Sequence, residues 1–189
     1  ITFLLIDMKT PGITVRPIIS IDGTHHLNEV FFDDVRVPVA MRVGPENKGW
    51  DVAKFLLGNE RSGIARLGKS KERVRFAREA AADMRAGDRP LIEDGEFRRR
   101  IAQLETDIKA LEITQLRVLS AQKEGESKQD PLTAVLKVKG TELLQATSEL
   151  VMDTGGPLSM PDWAQELAAL SNEPELGPSW ATEATRSYL

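Results

Sequence analysis

From Ile1 to about residue 42, apolar, β-branched and aromatic side chains recur without a sustained helical period, broken by Thr10-Pro11-Gly12 and Asp22-Gly23. Short runs of this kind bounded by turn residues predict strands. The pattern places them at Thr2 to Met8, Val15 to Ile21 and Glu29 to Val37, the last ended by Pro38, which cannot donate to a ladder. Three strands cannot hide both faces by themselves, so this piece is expected to belong to a larger sheet or to lean on helices. Gly44-Pro45 marks the expected boundary, separating residues 1–44 from a helical part, 45–189.

Beyond Glu46 the apolar period lengthens to that of a helix. Val52, Phe55 and Leu56 form a short face that meets Gly58, and a long helix is expected from Glu60 to about Arg85, carrying Ile64, Leu67, Val74 and Ala81. Gly58, Gly63 and Gly68 weaken it, each at about 1 kcal/mol relative to alanine, and call for close packing or a kink. Ile101, Leu104, Ile108, Leu111 and Val118 then mark one face of a second helix. After a polar turn over Gly125 to Pro131, a third carries Leu132, Val135, Leu136, Leu143, Ala146 and Leu150 until Gly155-Gly156-Pro157 stops it. The tail from Asp153, with Trp163 and Trp180 among prolines, is expected to wrap over the helices. The fold class is therefore mainly α, an antiparallel helical bundle preceded by a few strands.

The chain has 189 residues, 41% of them hydrophobic, enough for one core and a smaller neighbour. A net charge of −4 gives no long-range attraction to nucleic acid or an anionic membrane, so neither is an expected partner. Charge is uneven: residues 46 to 152 hold 20 bases and 18 acids, whereas the tail from Asp153 holds six acids and one base, Arg186, and could lie against the bundle. The absence of cysteine excludes disulfides, thiolate metal sites and a cysteine nucleophile. No apolar run approaches the roughly 20 residues of a spanning helix. The first residue is Ile and already lies in a β pattern, so a fragment with upstream partners removed is expected.

Few residues invite chemistry. No GxGxxG stands between a strand and a helix. His25-His26, the only histidines, read as a turn between strands that touches a substrate at most; no third ligand stands at metal spacing, and no metal is expected. Arg98-Arg99-Arg100 and Lys69-Ser70-Lys71-Glu72-Arg73 read as solvated helix faces or, alternatively, phosphate contacts. Glu60-Arg61 follows Gly58-Asn59 and has two readings from spacing alone: an acid satisfying the dipole at a helix start, or a catalytic carboxylate.

The runs Phe31-Phe32-Asp33-Asp34-Val35-Arg36-Val37-Pro38, Val43-Gly44-Pro45-Glu46-Asn47-Lys48-Gly49-Trp50 and Phe55-Leu56-Leu57-Gly58-Asn59-Glu60-Arg61 resemble, in order and spacing, the acyl-CoA dehydrogenases, in particular a bacterial large-subunit-like branch. Ile6-Asp7 through Thr10-Pro11-Gly12 fits the preceding strand and turn of that family, and the later helices fit its C-terminal bundle.

The resemblance implies a flavoprotein that removes a proton from Cα of an acyl-CoA thioester and passes a hydride from Cβ to FAD. It implies that 1–44 are the last strands of a middle β domain, and that 45–189 are a helical bundle lacking its last helix. Glu60 would be the base and Arg61 an orienting group. Arg85, Gly155 and Gly156 would stand where the family contacts its cofactor. Arg85 is one position away from the family's arginine, and Val151-Met152-Asp153-Thr154 replaces its glutamine before the paired glycines. The implied assembly is a homo- or hetero-tetramer, the implied electron acceptor an electron-transfer flavoprotein, and the location the bacterial cytoplasm. The fragment alone is expected to be apo and inactive. Two alternatives share this architecture: a non-catalytic partner-subunit module, and an acyl-CoA oxidase.

Overall fold

The computed structural model describes residues 1–60, 65–123, 131–160 and 177–188, with backbone alone at 58–60 and 122–123. Contacts divide the chain into two compact units, Ile1–Glu60 and Arg61–Leu189. The boundary expected at Gly44-Pro45 thus falls inside the first unit. The reason is local: the Gly49 amide donates to the Ile1 carbonyl at 3.0 Å and the Asn47 amide to Thr2 Oγ1 at 3.0 Å, tying the next helix to the first strand.

In the first unit, β1 (Phe3–Leu4) pairs antiparallel with β4 (Arg42–Val43), Phe3 opposite Val43. Between them β2 (Ile13–Ile19) and β3 (His25–Phe32) form a hairpin in register from Ile13 opposite Phe32 to Ile18 opposite Leu27, with an irregularity that sets Ile19 opposite His25. Its turn is fixed by Asp22, whose carboxylate accepts from the Thr24 amide at 3.0 Å and the Thr24 hydroxyl at 2.7 Å. These bonds hold the Asp22 carboxyl below its usual value. β3 stops before the expected Val37 because Asp34 enters the left-handed region at φ 49, where the ladder cannot continue. Every residue of β3 is exposed within this unit. The helix α1 (Gly49–Glu60) closes the unit.

The second unit is the expected bundle. α2 (Leu67–Asp83) begins after Arg66, whose φ of 41 separates it from what precedes. The single helix expected from Glu60 to Arg85 is therefore wrong: Glu60 ends one helix and Leu67 begins another. No proline marks the break, so the continuing apolar spacing hid it. Gly63 and Ile64 lie outside the described residues. A tight pair, β5 (Arg85–Ala86) and β6 (Arg89–Pro90), turns at Gly87 into a single 3-10 turn, Leu91–Glu93. α3 (Gly95–Lys123) is capped by Asp94, which accepts from the Phe97 amide at 2.9 Å. α4 (Leu132–Gly155) is followed by a 3-10 turn, Gly156–Ser159, and by α5 (Ser179–Tyr188). The tail was expected to wrap and was given no helix; its last described part is helical and packs on α4. Most of the turn expected over Gly125 to Pro131, and Trp163, lie outside the described residues.

The core joins α2, α3 and α4. Leu67, Val74 and Ala81 of α2 and Ile101, Leu104, Ile108, Leu111 and Val118 of α3 are buried as expected. On α4, Leu136, Leu143 and Leu150 are buried, while Val135 is 45% exposed, one position off the seven-residue stripe. Lys71 pairs with Glu112 and Arg78 with Glu105, so α2 and α3 run antiparallel; Arg100 pairs with Glu149 and Asp153, so α3 and α4 do too. α4 passes the entry to α2 so closely that a Cβ on Gly140 would lie 2.5 Å from Ala65 Cα.

Candidate functional site

The Glu-Arg pair lies where the description ends. Glu60 is the last residue of α1, its side chain is outside the described residues, and so is the whole of Arg61. Its backbone position tests the helix-start reading. An acid satisfies the macrodipole at the N-terminal end of a helix, whereas the C-terminal end carries the partial negative charge. The helix-start reading of Glu60 is therefore corrected.

Antiparallel packing brings the end of α2, the start of α3 and the end of α4 to one end of the bundle, and with them Arg85, Gly155 and Gly156. Arg85 is exposed on β5. Gly156 has φ 54 and ψ −130, a conformation open to glycine, and its amide donates to the carbonyls of Asp153 and Met152 to stop α4. A Cβ there would meet nothing within 4 Å. Gly155 differs: it is buried, and the space its Cβ would take is filled by the Ser159 hydroxyl and the Ala181 methyl. Arg85 and Gly156 leave room for the dinucleotide that the resemblance implies; Gly155 does not, because this chain's own turn occupies its cradle.

Sequence reasoning missed Arg100 at this end. It was read within a solvated run, yet it bridges Glu149 at 3.3 Å and Asp153, the residue standing near the family's glutamine. Its neighbour Arg99 is indeed exposed, bonded along its own helix to Glu96, which raises the guanidinium's value and lowers the carboxyl's. The second basic run divides between faces: Lys71 is exposed and paired with Glu112, Ser70 is buried, and Arg73 is half-buried. A helical period of acids on α3 against bases on α2 was the available signal for these pairs.

The histidines were expected in a loop, but they open β3 because the turn is completed by Thr24. Both are exposed. His25 Nε2 lies 2.8 Å from Asn28 Oδ1, and His26 Nε2 lies 3.7 Å from Asp22 Oδ2. Among the described residues no group of three His, Cys, Asp or Glu side chains could hold a metal ion. A groove of about 490 Å³ between α2 and α3 has Val74 and Ile108 at its floor. Its charged rim is paired with itself: Lys71 and Lys109 with Glu112, Arg75 with Glu79, and Arg78 with Glu105. No helix among the described residues is long and apolar enough to cross a membrane.

Residues 47–176 match the family described as acyl-CoA dehydrogenase, C-terminal domain. Acyl-CoA dehydrogenase FadE29 of Mycobacterium tuberculosis is 33% identical over 162 residues, 85% of this chain and 41% of that protein. Acyl-CoA dehydrogenase IpdE1 of the same organism is 33% identical over 170 residues, 86% of this chain and 41% of that one. The chain thus spans about two fifths of the length of these curated relatives. Among solved structures, the ChsE4–ChsE5 complex from Mycobacterium tuberculosis superposes with a TM-score of 0.77 at 24% identity, covering 99% of this chain and 46% of the other; that likeness concerns the fold. The family match begins close to Gly44-Pro45, whereas the contact boundary follows Glu60, so the homologous domain takes in α1 while α1 packs with the strands.

Proposed function

The chain belongs to the acyl-CoA dehydrogenase family, and from that premise we propose that it is the C-terminal part of an enzyme that performs α,β-dehydrogenation of an acyl-CoA thioester. The observation that supports this most is identity of 33% sustained over 85% of the chain. In this reading Glu60 takes the Cα proton. Such a proton is weakly acidic, so its removal needs a carboxylate within hydrogen-bond reach and donors that stabilise the enolate-like transition state. This reading places the base at the last residue of α1. Arg61 orients the base or the thioester. FAD, when bound, supplies the hydride acceptor, with Arg85 and Gly156 at one end of the bundle as its contacts from this chain. The enzyme would work as a homo- or hetero-tetramer in the bacterial cytoplasm and hand electrons to an electron-transfer flavoprotein.

A second reading, a partner subunit without a flavin of its own, is favoured by one observation: Gly155 is filled by Ser159 and Ala181. The two separate on cofactor content. A polypeptide carrying this segment behind flavin-holding strands should purify with FAD in stoichiometric amount, and its flavin should bleach anaerobically on mixing with an acyl-CoA substrate. A well-folded, colourless protein that assembles with a flavin-bearing partner would establish the second reading instead.

A further inference from the structure

α5 is a ten-residue helix, a length at which an isolated helix is marginal in water, so its order comes from docking. Its buried residues are Ala181 and Ala184, two methyl groups, against the row of Leu and Ile that α3 buries. Trp180 meets Phe76 of α2 edge-on, ring centroids 5.2 Å apart, and the Thr185 hydroxyl donates to the Ser159 carbonyl. Arg73 of α2 reaches α5 as well. Its Nη1 donates to the Leu144 carbonyl of α4 at 3.0 Å and its Nη2 to the Ser187 hydroxyl at 3.3 Å, so one guanidinium spans three helices. Burial holds that guanidinium below its usual value, with Glu72 opposing the effect from nearby.

We propose that α5 is a strap that undocks from the bundle as a unit, with Arg73 as its catch. Local opening draws on elements with little buried apolar surface, and α5 is such an element on an otherwise deeply packed unit. Undocking bares a recess between α2 and α4 lined by Phe76, Ser148 and Val151 and leaves the α2–α3–α4 core intact. Arg73 is a positioning residue here: an arginine bonded to a carbonyl and a hydroxyl on two helices holds α5 without contributing to the core that α3 makes. This proposal does not depend on the catalytic reading.

Hydrogen exchange on the full protein tests it. The helical amides from Ala184 to Tyr188 are expected to exchange about a hundredfold or more faster than those from Ile108 to Leu111, through an opening that denaturant promotes less steeply than global unfolding. Arg73→Gln should speed α5 exchange about tenfold, the scale of a hydrogen bond to a charged group, and leave the α3 amides unchanged. Ser187→Ala, a surface change that keeps the Leu144 bond, should have a smaller effect of the same kind, and Arg73→Lys should restore part of the protection. Exchange of α5 and α3 at one common rate would overturn the strap. Acceleration of both together by Arg73→Gln, or of neither, would overturn the catch, and Ser187→Ala keeps the test open should Arg73→Gln not fold.

Discussion

One substitution made at two places should move stability in opposite directions. Glycine within a helix costs about 1 kcal/mol relative to alanine, so Gly→Ala at an open helical site is stabilising by up to that amount. Gly68, in the first turn of α2, is such a site, since an added Cβ meets nothing within 4 Å. Gly140, inside α4, has the same propensity gain available and a different surrounding. Its Cβ would stand 2.5 Å from Ala65 Cα, 3.0 Å from the Ala65 carbonyl oxygen and 3.1 Å from its carbon. Those are backbone atoms that cannot rotate aside, so α4 and the entry to α2 must separate, at the roughly 1–3 kcal/mol of an overpacked core. The net expectation is a loss of up to about 2 kcal/mol for Gly140→Ala and a gain of up to about 1 kcal/mol for Gly68→Ala. With a urea slope of about 2 kcal/mol/M, the midpoint followed by far-ultraviolet circular dichroism should fall by up to about 1 M in the first variant and rise by up to about 0.5 M in the second. Shifts of the same sign would refute the close approach of α4 to Ala65.

Further expectations follow from the same packing. Ile108→Ala should cost about 2–5 kcal/mol by leaving a cavity at a residue 4% exposed, and Arg99→Ala under about 0.5 kcal/mol, so equal urea midpoints would show that α3 buries another face. Gly156→Ala should lose about 1–3 kcal/mol because φ 54 with ψ −130 admits little but glycine, and an unchanged melting temperature would count against that stop of α4. Glu112 is held below its ordinary carboxyl value of 4.5 by hydrogen bonds from Lys71 and Lys109. A lowered folded-state value means that its contribution is present above the unfolded value and fades as pH falls through the folded one. The stability difference between the wild type and Glu112→Gln should therefore be constant near neutrality and shrink below about pH 4.5, and a difference that grew on acidification would reverse the assignment.

The bundle was legible in the sequence where large apolar side chains kept a strict period. Ile101 to Val118 on α3 bury as that period requires. Legibility failed where the deciding side chains were small or charged. Nothing apolar in Ser179–Tyr188 beyond Trp180 and alanines signals α5, since alanine buries too little to stand out from a polar stretch. Arg73 and Arg100 looked like solvent-facing bases because the residues they bind are distant in the chain. The break between α1 and α2 includes the left-handed backbone of Arg66, and Gly63 and Gly68, which called for a kink or close packing, did not by themselves place it. Of the candidate site, family motifs supplied Glu60, Arg61, Arg85, Gly155 and Gly156. Periodicity alone left Glu60 on the wrong end of a helix, and only the packing around Ser159 shows that Gly155 serves α4 and α5.

The central claim is that Glu60 is the base of an acyl-CoA dehydrogenase, and anaerobic flavin bleaching in a protein that carries this segment with its flavin domain tests it most directly. Glu60→Gln keeps size and hydrogen bonding while removing the basic oxygen. FAD content and thioester binding should stay as in the wild type, while bleaching slows about a hundredfold or more, the scale of a lost general base. Bleaching at near the wild-type rate with FAD retained would contradict the claim and place the base elsewhere in the protein.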